Sequence, residues 1–547
     1  MKKTILILWA LVASVVSSNA QSTYNIINDH DTIVKAKLSG ISLGSRQVRH
    51  IVYEYPSTDA DGQAVTISGV IMGPSDVIDG SVPCDGVIMF NHPTIGSPED
   101  APSLGGKGLE PVSIAIASPL KPNYIFVVCD YIGYGSSIDH DVSYICGDTN
   151  GRNCLDGLLA AQQLLDDQQI PQGNFLFNVG YSQGGTESMY AARLTDSEEK
   201  YKGIRFDKTF SGGGALDFEN LFKIYINRDR CEDMADVVLM IISVNENYHL
   251  GIPYDVIFKE PMASKALEYF KSKSKNIVRE IGVMAMDSIH QVLQPGFMDL
   301  ESEPTKKFMS KLKDISITNG WEPDITKQYY LAHSRHDNYV PIQSGRGMIT
   351  WMKEKGFTPS LVPGKTSLQT CTVIFKLNHQ QAGIVWTIQT LAAIQFWPVL
   401  YYEGEQNRYF HDVVKDMNVM KVIKTIESLG IDLRQIVNGA LSRGPMRLPE
   451  RYTWFDIIPN ISDYLAKVDL TTDDLEEMCE DSGITMLDLL QAYSYLVTGN
   501  DPLASAPEVT IEERIEAPLY LLRYYERQLA TWFLLGGFDV NYDLWGM

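Results

Sequence analysis

The segment FLFNVGYSQGGTESMYAARL, residues 175–194, constrains the fold of this chain more than any other stretch. An apolar burst runs up to Tyr181, and a helix-forming segment starts directly after Ser182. Gly180 and Gly184 bracket that serine in the pattern G-x-S-x-G. The pattern alone is common. Its use as an exposed turn requires a buried strand before it and a helix after it, so that the strained backbone pushes the serine Oγ outward. Both neighbours are present, which makes Ser182 a candidate nucleophile.

The surrounding chain repeats the same alternation. GVIMFNH (86–92), YIFVVCDY (124–131), KTFSGGGAL (208–216), QYYLAHS (328–334) and CTVIFKLNH (371–379) are apolar bursts of the kind that buried parallel strands show. Helical patterns such as CLDGLLAAQQLLDDQ (154–168) lie between them. Upstream, RQVRHIVYEY (46–55) and AVTISGVIM (64–72) flank the turn-forming PSTDADGQ and read as an antiparallel pair. The expected class is therefore α/β, a mostly parallel sheet flanked by helices. The interval between KTFSGGGAL and QYYLAHS is too long for a loop in a compact sheet. Its helical patterns predict an inserted cap over 217–325, set into a catalytic domain spanning 21–216 and 326–400. Residues 401–547 read as a mainly helical accessory region.

A serine hydroxyl attacks only when a base accepts its proton and a third group orients that base. In this architecture the acid and then the histidine follow the serine, at the ends of later strands. His249 and His290 fall within the insertion. His333 and His336 surround Asp337 in AHSRHDNYVP, and His379 closes CTVIFKLNH. Asp337 followed by His379 satisfies the order, whereas His333 precedes the acid. An oxyanion would be held by the backbone N–H of Gln183 and by a donor in NHPTIG, residues 91–96. Pro93 has no N–H, so Thr94 is the second donor, and His92 is expected to shape the turn.

These four segments, NHPTIG, GYSQGG, HDNYVP and LNHQQAG, resemble the α/β-hydrolase superfamily in kind and order. With DYIGYGSS (130–137) they are most similar to the capped secretory lipases and esterases. The resemblance covers roughly residues 45–400 and implies a carboxylic-ester hydrolase with Ser182, Asp337 and His379 as its triad. It implies no metal or organic cofactor and a small-molecule, lipid or other acylated ester as substrate. The region beyond 400 departs from the pattern and leaves the substrate class open. A serine peptidase of aminopeptidase or dipeptidyl type would use the same triad and is the alternative. A binding protein that kept the fold is disfavoured, because no triad member is missing.

Composition narrows the partners and the compartment. A net charge of −22 excludes the basic surface that nucleic acid binding requires. Lys2 and Lys3, the apolar run from Ile5 to Val16 and the small residues Ser18-Asn19-Ala20 form a cleavable export signal over 1–20. The expected product is periplasmic or secreted, starts near Gln21 and keeps no stable membrane span. Of seven cysteines, Cys146 and Cys154 flank GDTNGRN and are the candidate disulfide for an oxidising compartment. Cys129, inside an apolar burst, packs as a small hydrophobe. No cysteine spacing resembles a zinc site.

Overall fold

The computed structural model describes residues 23–38, 41–118, 122–228, 234–272, 288–357, 368–373 and 377–395, with isolated positions between 420 and 499. The expected export signal and nearly all of the 401–547 region lie outside the described residues.

Nine strands form one sheet in the order β1-β2-β3-β5-β4-β6-β7-β8-β9. The strands are β1 (Asn25–Leu38), β2 (Ile41–Thr58), β3 (Ala64–Pro74), β4 (Gly86–Asn91), β5 (Tyr124–Cys129), β6 (Phe175–Tyr181), β7 (Lys208–Gly212), β8 (Tyr329–Ser334) and β9 (Leu368–Val373). The first three are antiparallel neighbours, β3 joins β5 antiparallel, and every pair from β5 through β4 to β9 is parallel. The bursts at 86–92, 124–131, 175–182, 208–216 and 328–334 became β4, β5, β6, β7 and β8, and β9 overlaps the burst at 371–379 only over 371–373. Every residue of β4, β5, β7 and β8 is buried, which is why these strands read as apolar runs rather than alternating ones.

The strand β1 is the exception, since NIINDHDTIVKAKL carries no apolar run. It is an edge strand paired only with β2 and leaves Ile27 and Ile33 largely exposed. Its hold comes from the backbone ladder and from Arg49, which donates to both oxygens of Asp29 at 2.8 and 2.6 Å.

Helices cover both faces. On one lie α1 (Glu110–Ala117) and, from the other end of the chain, the helix His379–Gln395; Val112, Ile116, Val385 and Trp386 pack there with Phe126, Phe177 and Phe210 of the sheet. On the opposite face lie α2 (Thr149–Asp167) and α3 (Gln183–Ser197). Between β7 and β8 the chain forms α4 (Phe218–Ile226), α5 (Met234–Asn247), α6 (Met262–Phe270) and α7 (Glu303–Asp314). Their buried residues, including Phe222, Ile241, Phe270 and Phe308, are continuous with the core under α2 and α3. The helices α8 (Ile342–Glu354) and α9 (His379–Gln395) follow β8 and β9. No described helix is long and apolar enough to cross a membrane.

One expectation is corrected. Cys146 and Cys154 are both free thiols, each fully buried. Helix α2 starts at Thr149, so Cys154 is helical rather than in a loop, and it packs beside Cys129, whose Sγ lies 3.8 Å from the Cys154 carbonyl oxygen. The Cys146 thiol instead meets the Ser243 hydroxyl of α5 at 3.2 Å, and burial pushes its pKa up to about 12. A helical turn has carried the two sulfurs into different surroundings.

Candidate active site

Parallel register brings the relevant loops to one edge of the sheet. Asn91 at the end of β4 pairs with Gly180, Tyr181 pairs with Gly212, and Gly212 pairs with Ala332. The loops after β4, β6, β8 and β9 therefore leave side by side at the carboxyl ends of the strands, where open α/β sheets bind ligands.

Ser182 is the hinge between β6 and α3. Its backbone sits at φ 58° and ψ −125°, a conformation that costs a non-glycine residue about 1–3 kcal/mol. The surroundings hold it there: its N–H donates to the Gly212 carbonyl at 2.8 Å, and its carbonyl accepts the first helical bond from Thr186 at 3.2 Å. The two bracketing glycines are required by close approach. A Cβ on Gly180 would collide with the carbonyl oxygen of Gly184, and a Cβ on Gly184 would collide with the carbonyl of Asn91. Helix α3 thus starts pressed against the loop that carries Thr94.

Three side chains meet at this turn. The His379 Nε2 lies 2.8 Å from Ser182 Oγ, and His379 Nδ1 lies 2.7 Å from Asp337 Oδ2. Because a carboxylate only accepts, the Nδ1–H donates to Asp337, and Nε2 is left to accept the serine proton. The other Asp337 oxygen accepts the backbone N–H groups of Tyr339 and Val340 at 2.9 and 2.8 Å. Burial alone would raise this carboxyl's pKa. The His379 hydrogen bond, the nearby imidazoles and the Val340 N–H overcome it and hold the group below the usual carboxylate range.

The histidine is oriented from all sides. Its backbone N–H donates to Asn338 Oδ1 at 3.0 Å, and Tyr181 donates its hydroxyl to the His379 carbonyl at 2.6 Å. The Tyr339 ring stacks on the imidazole with centroids 5.2 Å apart. His333, the rival from sequence, lies behind the acid: its Nε2–H donates to the Val340 carbonyl at 2.8 Å and approaches Asp337 Oδ2 at 3.5 Å. Burial lowers its pKa and keeps it neutral. His336 occupies the same turn, with its N–H donating to Ser334 Oγ at 3.3 Å.

The loop after β4 flanks the serine from the other side. Thr94 Oγ1 lies 3.2 Å from the Tyr144 hydroxyl. Gln183 is the first residue of α3, so its N–H has no intrahelical acceptor and is free for an anion. His92 is buried behind the loop, stacked on Tyr131 at 3.9 Å, with its Nδ1 2.7 Å from the Pro93 carbonyl. Desolvation lowers its pKa to about 4, so it acts as a neutral brace. Behind it, Asp130 accepts from the Ser103 N–H at 2.8 Å and from the Ser68 hydroxyl, which anchors the loop over 97–104. The remaining histidines of the insertion are remote in role: His249 is exposed and pairs with Asp61 at 2.7 Å. Among the described residues, no group of three His, Cys, Asp or Glu is arranged to hold a metal.

Sequence reasoning missed Tyr181, Asn338 and Tyr339 as supports of His379. Their neighbours in sequence were identified, but stacking and main-chain bonds across 40 or more residues leave no trace in a local pattern.

The strand order, the turn at Ser182 and the helices on both faces define an α/β-hydrolase fold. Many solved structures share it. A protein of Legionella pneumophila provisionally assigned as a hydrolase matches with a TM-score of 0.58 at 17% identity, over 69% of this chain and 100% of its own. The rice cell wall degrading esterase LipA of Xanthomonas oryzae matches with a TM-score of 0.54 at 17% identity, over 69% of this chain and 98% of its own. At these identities the likeness establishes the fold. No protein-family model and no curated protein sequence matches the chain.

Proposed function

We propose that this protein is an exported serine hydrolase that cleaves carboxylic esters through an acyl-enzyme. The observation that carries this reading is the continuous hydrogen-bonded line from Ser182 Oγ through His379 to Asp337, with distances of 2.8 and 2.7 Å. As Ser182 Oγ attacks the ester carbonyl carbon, His379 Nε2 takes its proton, and the imidazolium is stabilised by the Asp337 carboxylate. The carbonyl oxygen becomes an oxyanion that the N–H groups of Gln183 and Thr94 receive. Collapse of the tetrahedral species expels the alkoxide, which takes the proton from His379 and leaves as the alcohol. Water then attacks the acyl carbon, His379 again holds the proton in transit, and the acid departs with Ser182 restored.

The helices over 217–325 serve as a cap. In support, the Tyr225 hydroxyl of α4 donates to the Tyr339 carbonyl at 2.9 Å, so the insertion touches the loop that stacks on His379. The 138–148 loop is tied to α5 as well, since the Tyr144 N–H donates to Ser243 Oγ at 2.8 Å. Export rests on the Lys2–Lys3, apolar run and Ser18-Asn19-Ala20 pattern alone. Esters are preferred to peptides because the acidic cluster NRDRCEDMAD, which would have to hold a peptide amine, reads as a solvated face. The fold shared with an esterase agrees with that preference.

A fluorophosphonate probe tests the reading. Wild type is expected to be labelled covalently and Ser182→Ala not at all, with release of p-nitrophenol from short acyl esters and no p-nitroaniline from dipeptidyl anilides. Equal labelling of the two proteins would overturn the hydrolase; p-nitroaniline release without ester turnover would make it a peptidase.

A further inference from the structure

The helix that starts at Ser182 carries a buried acid with no counter-ion. Glu187 lies on α3, one turn beyond Gln183, and is wholly buried. Its Oε1 accepts from Asn150 Nδ2 at 3.2 Å, and its Oε2 has no partner. Asn150 shows the complementary defect: Nδ2 also donates to the Ser143 carbonyl at 2.6 Å, while its own Oδ1 has no partner. The amide cannot be turned over to cure this, because Oδ1 would then face the Ser143 carbonyl oxygen. Two buried acceptors are left orphaned on two groups already joined by one hydrogen bond. An orphaned pair of this kind is costly unless a hydrogen lies between them.

We infer that Glu187 carries a proton on Oε2 and donates it to Asn150 Oδ1, closing a two-bond acid–amide pair that positions both oxyanion donors. One end of the pair is α3, whose first residue is Gln183. The other end is the loop 142–148, held through Ser143, whose Tyr144 hydroxyl contacts Thr94. The assignment of those donors rests on the hydrolase reading above; the protonation of Glu187 does not. A carboxylate in this place would harm the reaction twice. It would repel Asn150 Oδ1 and loosen both donors, and it would set a negative charge in the interior one turn behind a developing oxyanion.

The titratable groups around Glu187 favour the neutral acid. Asp148, Cys146, Cys154, Tyr131, Tyr190 and Tyr248 face it, and none is a cation. The nearest anion, Asp148, is paired with Arg152 at 3.2 Å. Desolvation pushes the Glu187 pKa up to about 8, and the neutral donors of Asn150, the Gln183 side chain and the Gly151 backbone only partly offset it.

The test is Glu187→Gln beside Glu187→Ala. Glutamine donates to Asn150 Oδ1 and accepts from Asn150 Nδ2 without a titratable proton, so E187Q is the conservative rescue. A neutral imidazole base gives kcat/KM an acidic limb only, so an alkaline limb reports another group. Wild type is expected to lose kcat/KM above about pH 8, and E187Q is expected to lack that fall. E187A should lose on the order of ten-fold or more at neutral pH, the cost of leaving a buried amide unpaired. Independently of activity, the infrared difference spectrum of wild type minus E187Q at pH 7 should contain the C=O band of a protonated carboxylic acid. Absence of that band, or an alkaline limb that persists in E187Q, would overturn the inference. If Ser182→Ala proves as active as wild type, the hydrolase reading fails while the infrared band still decides the proton.

Discussion

Two buried carboxyls near Ser182 are shifted in opposite directions, and their chemistry follows from what each one touches. Asp337 accepts three hydrogen bonds and faces two imidazoles, so it is held ionised. Glu187 meets only neutral donors, from Asn150, Gln183 and the Gly151 backbone, and no cation, so burial wins. The signs then separate in a stability profile. Asp337 has a depressed folded pKa, so its stabilisation is present above the ordinary carboxylate pKa and is lost as pH falls through the folded one. Glu187 has a raised pKa, so between the ordinary glutamate range and about pH 8 folding takes up a proton and stability falls as pH rises. Asp337→Asn should therefore close its stability gap to wild type as pH drops below 4, measured by urea unfolding across a pH series. A gap that stays constant with pH would mean the carboxylate is not held ionised by these partners. The same variant should lower kcat by on the order of 10³–10⁴-fold, because an amide no longer fixes the Nδ1–H tautomer. Asp337 and His379 were legible in sequence because strand ends and chain order point to them. Glu187 was not, since a glutamate in a helical pattern reads as solvated, and only the burial of α3 against α2 reverses that.

At the scale of elements, the carboxyl-end loops are set by how closely backbones approach. Helix α3 begins in contact with the Asn91 and His92 carbonyls, and only the bare Cα of Gly184 permits it. Gly184→Ala must push α3 off the loop that carries Thr94. Adding one methyl to a packed site with rigid backbone neighbours costs about 1–3 kcal/mol. The expected outcome is a lowered Tm together with a drop in kcat and little change in KM, since in the proposed mechanism the displaced groups receive the oxyanion and do not bind the ground state. Unchanged Tm and kcat would show that the contact is slack. The elements themselves were readable where burial was two-sided: β4, β5, β6, β7 and β8 fall on their apolar bursts. β1 was not, because its stability lies in a ladder with β2 and in Arg49–Asp29, neither of which leaves an apolar pattern. The expected link between Cys146 and Cys154 failed for the reverse reason. Asn150, Gly151 and Asn153 look like turn residues, yet they are buried on α2 because their side chains or lack of them suit close packing with α3 and with β2.

For the whole molecule, the described residues of both hydrophobic clusters lie between Tyr24 and Ile394. The Tyr124 hydroxyl of β5 donates to the Ile394 carbonyl at 3.1 Å and ties the end of α9 to the sheet. Among the described positions beyond 400, Tyr495 donates to Glu427 at 2.6 Å and Lys424 lies over the Tyr495 ring. The Legionella and Xanthomonas structures are each matched over nearly their whole length by 69% of this chain, so the fold shared with them needs no more of it. A chain ending at residue 400 is expected to unfold in one cooperative transition, with Tm within a few degrees of full length, since a lost kilocalorie shifts even a 150–250-residue domain by only about 2–4 °C. Its rate on a two-carbon acyl ester should match full length within about three-fold, while any difference confined to long acyl chains would assign the C-terminal region to substrate selection. An insoluble product, or equal loss of rate at every chain length, would show that residues 401–547 complete the core after all.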